Sequence, residues 1–284
     1  MKPIQTMPAE TARSIKWIFS DIDDTITKDN KIVPDAYRAL CDLKKAGFKV
    51  FVITGRSAGW GQIHLQEWPI DGAIAENGAI SYCSPEYSKG RDSSCSPPVA
   101  GEPAAHEASF DTIIHPSAVR NNHPALLRAA QKVYETIPCA KPALDNRFRL
   151  YDYAVDHAEY VSPPLSEADV ASIVRIFKDE GCMAKASSIH VNAWFGTYNK
   201  LEAALQVLTT LENYTDSGCR EQVLFVGDAP NDESMFEHFP NACAVANIDI
   251  WKNSITHFPS WVSAGRYGEG FAEIADYLLF AARV

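Results

Sequence analysis

The stretch that decides the fold is IKWIFSDIDDTIT, residues 15–27. Its first six residues form a short, mostly apolar run that stops at an acidic cluster, a pattern typical of a buried strand followed by a polar loop. Because side chains alternate along an extended chain, Asp21 and Asp23 point to the same side while Ile22 points into the core. We therefore expect two carboxylates to face one pocket at the end of this strand.

The residues that follow predict a parallel α/β unit. Pro34 stands where a helix would begin, apolar residues recur at helical spacing after it, and Gly47 is a stop signal. Residues 48–53 (FKVFVI) then predict a second strand, which ends in the triplet Thr-Gly-Arg at 54–56. Strand, helix and strand in this order indicate a parallel βαβ unit.

The same order of elements returns near the end of the sequence. The pattern predicts a helix over residues 201–212, a strand over 223–226 that leads into Gly227 and Asp228, a strand over 243–246 and a helix over 270–282. The two ends of the sequence are therefore expected to share one sheet. The predicted fold class is α/β, with a Rossmann-like parallel-sheet core.

Between these halves, the pattern changes to that of an inserted α+β domain. Residues 84–109 are rich in Ser, Pro and Gly, and we expect a flexible loop there. The elements predicted after it are a strand over 110–115, a helix over 123–137, an alternating strand over 147–155, a helix with Ser166 and Asp169 at its start, and a strand over 186–195. The predicted core is residues 1–82 and 189–284, and the insert is residues 83–188.

Composition excludes several classes of function. The 26 Lys and Arg residues against 36 Asp and Glu give a formal charge of −10, which disfavours binding to nucleic acid. No apolar run approaches the roughly 18 residues of a membrane span, and the first 14 residues do not resemble a signal peptide. The seven cysteines lack CxxC pairs and are expected to be reduced thiols. A cytoplasmic protein without a membrane partner is expected.

Acidic residues at two strand ends predict a metal site. Two carboxylates as close as those of Asp21 and Asp23 require either a shared proton or a cation between them. Asp228 and Asp232 offer further oxygen ligands after another strand. Magnesium is the cation that best fits carboxylate, water and phosphate oxygens.

A phosphate site is predicted beside the metal. Thr54 and Gly55 end the second strand, where a hydroxyl and backbone N–H groups can hold an anion. Lys200, at the start of a helix, supplies a compact positive charge for a phosphate oxygen.

Four motifs resemble those of the haloacid dehalogenase superfamily phosphatases: DIDDTIT at 21–27, VITGR at 52–56, Lys200, and GDAPND at 227–232. The place of the insert, together with AENGA at 75–79, resembles the subtype with a large α/β cap, which includes Cof-like, sucrose-phosphate and mannosyl-3-phosphoglycerate phosphatases and phosphomannomutase. In two places the sequence departs from the family pattern: no glycine follows Lys200, and Pro230 replaces a small residue. These departures concern the subfamily rather than the reaction.

The resemblance implies roles for the site residues. Asp21 would be the nucleophile that forms an aspartyl-phosphate, and Asp23 the acid that protonates the leaving alcohol and then deprotonates water. The implied metal ligands are Asp21, the main-chain carbonyl of Asp23, and Asp228. Asp232 and Asn231 would hold these ligands or reach the metal through water, and Asn231 is also a candidate phosphate-binding residue.

Candidates for substrate recognition are weaker. Arg147 and Arg149 would share a face of the strand over 147–155 and clamp a hydroxyl, a carboxylate or a second phosphate, although a solvated face explains them equally well. His190 is likewise either a substrate contact or an ordinary exposed residue of a strand face. Arg56 and Asn77 stand near the expected cleft, and Asn77 also fits a simple turn.

The resulting hypothesis is a magnesium-dependent phosphomonoester hydrolase. Its substrate would be a small organic phosphate, either a sugar phosphate or a phosphorylated sugar acid, and the chain would be a monomer or a homodimer. A phosphomutase that returns the phosphoryl group to the sugar is an alternative. A sugar-phosphate-binding protein without activity is a third reading, which the intact acid pair and lysine oppose.

Overall fold

A computed structural model of the protein describes residues 1–85, 110–212, 214–215 and 219–283. From residue 86 on, the loop predicted over 84–109 lies outside the described residues. The strands are β1 (Lys2–Pro3), β2 (Trp17–Ser20), β3 (Thr27–Lys28), β4 (Lys31–Ile32), β5 (Lys49–Ile53), β6 (Gly72–Ala75), β7 (Ile80–Cys83), β8 (Asp111–Ile114), β9 (Lys141–Pro142), β10 (Asp152–Asp156), β11 (Met183–Ala186), β12 (His190–Trp194), β13 (Val223–Gly227), β14 (Asn241–Ala244) and β15 (Trp261–Val262).

The helices alternate with the strands along most of the chain. They are α1 (Ala9–Ser14), α2 (Pro34–Lys45), α3 (Ala58–Glu67), α4 (Pro124–Thr136), α5 (Glu167–Asp179), α6 (Lys200–Glu212), α7 (Glu233–His238) and α8 (Tyr267–Arg283). As predicted, Ser166 caps α5, where its hydroxyl accepts a hydrogen bond from the amide of Asp169. Among the described residues, no helix is long and apolar enough to cross a membrane.

The large sheet has nine strands in the order β1-β15-β14-β13-β2-β5-β6-β7-β8. The strands from β1 to β6 in that order are parallel, and β7 and β8 extend the sheet antiparallel. β2 lies near the centre, where Ser20 pairs with Val226 on one side and Val52 on the other. The predicted α/β class with a Rossmann-like sheet is confirmed.

Alternate residues of the central strands enter two apolar layers. Ile18 and Val50 pack with α2 and α8 on one face, whereas Phe19 and Phe51 pack with α6 and α7 on the other. All four side chains are buried. Because helices cover both faces, we expect ligands at the carboxyl ends of the parallel strands.

A second, antiparallel sheet has the order β11-β12-β10-β9. One face is apolar, where Val155 and Val191 pack with α4 and α5. The register pairs Ala154 with Asn192 and Asp156 with His190, so the opposite face carries polar side chains. The predicted α+β character of the insert is confirmed, and we call residues 115–194, which include this sheet, α4 and α5, the cap.

Two predicted strands of the cap differ from the structure. Residues 147–155 do not form one strand, because a 3-10 turn at Leu144–Phe148 precedes β10. The side chain of Asn146 accepts a hydrogen bond from the amide of Ala154 at 2.9 Å and donates to its carbonyl at 2.8 Å, in place of a strand partner. Within the strand predicted over 186–195, His190–Trp194 form β12, whereas Ala186 ends the preceding strand β11, which pairs antiparallel with β12.

The predicted boundaries of the insert, residues 83 and 188, stay a prediction. Strand pairing alone gives a different division, because β8 belongs to the large sheet and β12 to the small one. On that criterion the chain changes sheet after Ile114 and again after Trp194.

The turn between β6 and β7 requires a glycine. Gly78 has φ +112°, and a Cβ there would stand 2.5 Å from the backbone oxygen of Asn199. We expect Gly78→Ala to lower the free energy of unfolding by about 2 kcal/mol or more, because the strain of the left-handed backbone and the clash add. Chemical denaturation measures this loss. Gly47→Ala is the matched control: φ is +92° but nothing lies within 4 Å, so about 1 kcal/mol is expected. Equal losses would contradict the clash.

Candidate active site

Three adjacent strands of the large sheet end in residues that the sequence placed in the site. Asp21 follows β2, Thr54 follows β5 and Asp228 follows β13. The strands are parallel, so their carboxyl ends meet at one edge. The amide of Asp21 donates to the carbonyl of Val226 at 2.8 Å, which extends the pairing of β2 and β13 into the loop.

Lys200 lies between two carboxylates at this edge. Its ammonium is 2.9 Å from Oδ1 of Asp21 and 2.7 Å from Oδ1 of Asp232. All three residues are buried. Charge-assisted hydrogen bonds of this kind are short and strong, and burial makes the loss of either partner costly. The nucleophile candidate and the first residue of α6 are therefore held in one position.

Further hydrogen bonds fix the loop after β13. Oδ2 of Asp232 accepts from the amides of Asp228 and the next residue, at 3.0 and 3.2 Å. Thr25 and Asn247 donate to the two carboxylate oxygens of Asp228, at 3.0 and 2.8 Å. A Cβ at Gly227 would stand 2.7 Å from Cγ of Asp232, so glycine is required for this close approach.

Asp21, Asp228 and Asp232 form a candidate metal site. Among the described residues they are a group in which one oxygen of each lies within 4.8 Å of the others. An all-oxygen set suits a hard cation such as Mg²⁺. Asp232 already accepts from the Lys200 ammonium and from two backbone amides, whereas each oxygen of Asp228 accepts one hydrogen bond from a neutral side chain, so Asp21 and Asp228 are the better donors. The side chain of Asp23 lies outside the group, and its backbone carbonyl as a ligand stays a prediction.

The crowding of carboxylates changes their pKa values. Burial raises the pKa of Asp21 from 3.8 to about 7; Lys200 opposes the rise, and Asp232 and Asp23 add to it. Burial and the charges of Asp21 and Asp232 raise the pKa of Asp228 well above its ordinary value. Burial lowers the pKa of Lys200, but the two carboxylates outweigh burial and raise it. A bound cation would relieve this excess of negative charge.

Asp23 is held by Arg56. Nε of Arg56 donates to both carboxylate oxygens, at 2.8 and 3.1 Å. Nη2 donates to Asn30 at 2.9 Å and lies 3.5 Å from Glu159 of the cap. The other oxygen of Glu159 is 2.9 Å from Nε2 of His190. This chain of charges connects the predicted general acid to the cap, and Asn30, Arg56 and Glu159 also line a cavity of about 380 Å³.

Hydrogen bonds connect the predicted phosphate loop, Thr54 and Gly55, to the cap. The hydroxyl of Thr54 accepts a hydrogen bond from the amide of Arg56 at 3.0 Å. The carbonyl of Gly55 accepts from Arg149 at 2.8 Å and from Asn192 at 3.0 Å. Two cap residues therefore set the orientation of the peptide that follows Gly55.

The expectation that Arg147 and Arg149 share a strand face is wrong. Arg147 is exposed on the 3-10 turn, with its guanidinium 4.6 Å from the ring of Phe148. Arg149 is buried and pairs with Asp145 at 3.0 Å and Asp152 at 2.8 Å. Its guanidinium binds protein groups instead of clamping a substrate, because the turn reverses the chain where a strand was expected.

Sequence reasoning missed Glu76. Its fully buried carboxylate accepts four backbone amides: that of Ala58 in α3 at 2.9 Å, and those of residues 150, 151 and 152 at 2.8, 2.7 and 3.0 Å. Burial and the charge of Asp152 raise the pKa of Glu76 to about 7. The neighbouring Asn77, expected to meet substrate, donates to Asp152 at 3.4 Å. The one signal in the sequence was an acid inside the apolar run at 73–80.

Comparison with known proteins agrees with this geometry. Residues 18–90 match the model of the haloacid dehalogenase-like hydrolase family. A crystal structure of a Thermoplasma acidophilum protein has TM-score 0.66 and 17% identity, and the match covers 93% of this chain and 98% of the other. The chain has the haloacid dehalogenase fold. The predicted resemblance to this superfamily and the predicted hydrolase class are confirmed.

Two further solved structures share the haloacid dehalogenase fold. A sugar phosphatase of subclass IIB has TM-score 0.58 and 14% identity, over 92% of this chain and 98% of that one. A sucrose-phosphatase from Synechocystis, in complex with sucrose and phosphate, has TM-score 0.58 and 16% identity, over 94% and 98%. No protein with curated annotation matches the chain.

Replacing Asp21 by Asn tests the electrostatic cost of the site. Because the pKa of Asp21 is about 7 in the folded protein and near 3.8 when unfolded, its ionisation removes stability as pH rises through this window. We expect the free energy of unfolding of wild type, in chelator, to fall by about 1–3 kcal/mol relative to that of Asp21→Asn between pH 5.5 and pH 8, because the asparagine does not titrate. Denaturation at the two pH values measures the difference. A difference between wild type and variant that is the same at both pH values would contradict the raised pKa of Asp21.

Proposed function

We propose that the protein is a Mg²⁺-dependent phosphomonoester hydrolase acting on a sugar phosphate or a phosphorylated sugar acid. The observation that carries the proposal is the buried Asp21, which contacts the ammonium of Lys200 within a carboxylate cluster suited to a hard cation. The family match supports hydrolysis, and the descriptions of the two phosphatase neighbours support a sugar phosphate ester.

The first step transfers the phosphoryl group to Asp21. One carboxylate oxygen of Asp21 attacks phosphorus, the bond from phosphorus to the ester oxygen breaks, and Asp23 gives its proton to the leaving alkoxide. Lys200, the Thr54 hydroxyl and the Gly55 amide hold phosphoryl oxygens. Mg²⁺ held by Asp21 and Asp228 would neutralise charge that develops on the phosphoryl group.

The second step releases phosphate. Asp23, now a carboxylate, accepts a proton from water as the water oxygen attacks phosphorus, and the bond from phosphorus to Asp21 breaks. This returns Asp21 as a carboxylate and Asp23 in its protonated form. Both steps require Asp23 to turn from Arg56 toward the reacting oxygen. The ion pair between Arg56 and Glu159 couples this movement of Asp23 to the position of the cap.

The direct test is turnover of a panel of sugar phosphates with Mg²⁺, following inorganic phosphate and positional isomers of the sugar together. We expect inorganic phosphate from wild type, none above background from Asp21→Asn, and reversible loss with a chelator. Acid quenching of wild type with ³²P-labelled substrate should trap a labelled, hydroxylamine-sensitive protein adduct. Isomer exchange without release of phosphate would indicate a mutase, and neither product would contradict the proposal.

Asp23→Asn separates the two proton transfers. The nitrophenolate of p-nitrophenyl phosphate leaves without a proton, whereas a sugar alkoxide needs one. We expect the variant to release one equivalent of nitrophenol in a burst and then turn over about 10²–10⁴-fold more slowly than wild type, with no burst from a sugar phosphate. Stopped-flow absorbance measures the burst. Asp24→Asn is the matched control and should keep wild-type kinetics. A burst with neither substrate would contradict the role given to Asp23.

A further inference from the structure

The polar face of the cap sheet is turned toward the active site. The register pairs Lys185 of β11 with Asn192 of β12, and directly paired residues of antiparallel strands have their side chains on the same face. Asn192 donates to the carbonyl of Gly55 at 3.0 Å, so this face meets the loop after β5. Ala184, one residue before Lys185, packs in the apolar layer of the opposite face. Lys185 therefore points toward the large sheet.

Strand β11 also lies against the turn Pro230–Asp232, which carries Asp232 and Asn231. Lys185 is partly buried, and it makes no hydrogen bond or ion pair with any residue in the described part of the chain. Asn231 is 4% exposed, and its Oδ1 has no hydrogen-bond partner among those residues. A buried polar atom such as Oδ1 of Asn231 normally has a partner. Two binding groups at one edge of the site are therefore left for a ligand.

Electrostatics place Lys185 near the phosphate side of the site. Burial lowers its pKa, and the positive charge of Lys200 lowers it further, against the opposite effect of Asp232. Lys200 is the strongest single charge acting on Lys185. The two ammonium groups therefore repel each other, and an anion between them would lower this repulsion.

The charge balance of the site favours a second cationic side chain beside Lys200. The carboxylates of Asp21, Asp228 and Asp232, the ammonium of Lys200 and a bound divalent cation sum to zero. A phosphate dianion then brings two uncompensated negative charges into a water-poor cleft, where they are costly. Lys185 is a cation of the cap with no other partner among the described residues, and it compensates one of these charges.

We propose that Lys185 is a phosphate-binding residue contributed by the cap, whose ammonium donates to a non-bridging oxygen of the phosphoryl group that Lys200 also holds. The proposal deepens the proposed function and rests on it. Contact with the leaving group instead is disfavoured by position, because Lys185 lies on the side of Lys200 and Asp232, whereas the proton donor Asp23 is bound by Arg56.

The test uses inorganic phosphate, and separately vanadate, because neither carries a leaving group. Isothermal titration in the presence of Mg²⁺ gives the dissociation constants of the full-length wild type and variants. We expect Lys185→Met to weaken binding of both anions at least about tenfold, and Lys185→Arg to stay within about threefold of wild type. Lys141→Met, at an exposed lysine of β9 in the same sheet, should bind as wild type does.

The outcomes distinguish a failure of the role given to Lys185 from a failure of the proposed function. Unchanged phosphate affinity in Lys185→Met overturns the proposal, as does a change confined to the KM for sugar phosphates, which would assign Lys185 to the leaving group. Wild type that neither binds phosphate nor hydrolyses phosphate esters contradicts the proposed function itself. Lys185→Gln repeats the test if Lys185→Met does not fold, and circular dichroism with thermal melting verifies the fold of every variant.

Discussion

A buried ammonium shared by two buried carboxylates is the interaction on which the site depends. Lys200 begins helix α6, Asp21 ends strand β2, and Asp232 lies in the turn after β13, so one cation joins three separate elements. Buried charges of this kind are stable only while they stay paired. The arrangement therefore fixes Asp21, the proposed nucleophile, before any ligand arrives, and it leaves an excess of negative charge that favours cations.

A second set of buried charges holds the two sheets together. Glu76 accepts hydrogen bonds from the amides at the start of β10, and Arg149 bridges Asp145 and Asp152. Asn192 donates both to the carboxylate of Asp152 and to the carbonyl of Gly55 in the loop after β5. Hydrogen-bonded networks in a low dielectric are strong when every member is satisfied. The cap is consequently positioned by specific polar contacts at the edge of the active site, rather than by apolar packing alone.

The core was predictable because its signals are local. A short apolar run that ends in Asp21, and another that ends in Gly227 and Asp228, define strand ends, and parallel strands bring their ends together. The polar contacts between the cap and the large sheet were not predictable in this way. The burial of Arg149 depends on a turn in which the side chain of Asn146 binds the backbone of Ala154, a contact that periodicity does not signal. The position of Lys185 on the face toward the site depends on strand register, which no single stretch of sequence encodes.

The donors that Glu76 uses bear on how the protein can be re-engineered. One of its four amide partners belongs to the core that carries the candidate active site, and three belong to the cap. A transplanted covering domain whose backbone follows another path at this point would leave this carboxylate sealed away from water without its donors, at a cost of several kcal/mol. Chimaeras will need matched junction residues on both sides. Substrate preference is therefore more readily altered by single changes inside the existing insert than by exchanging it whole.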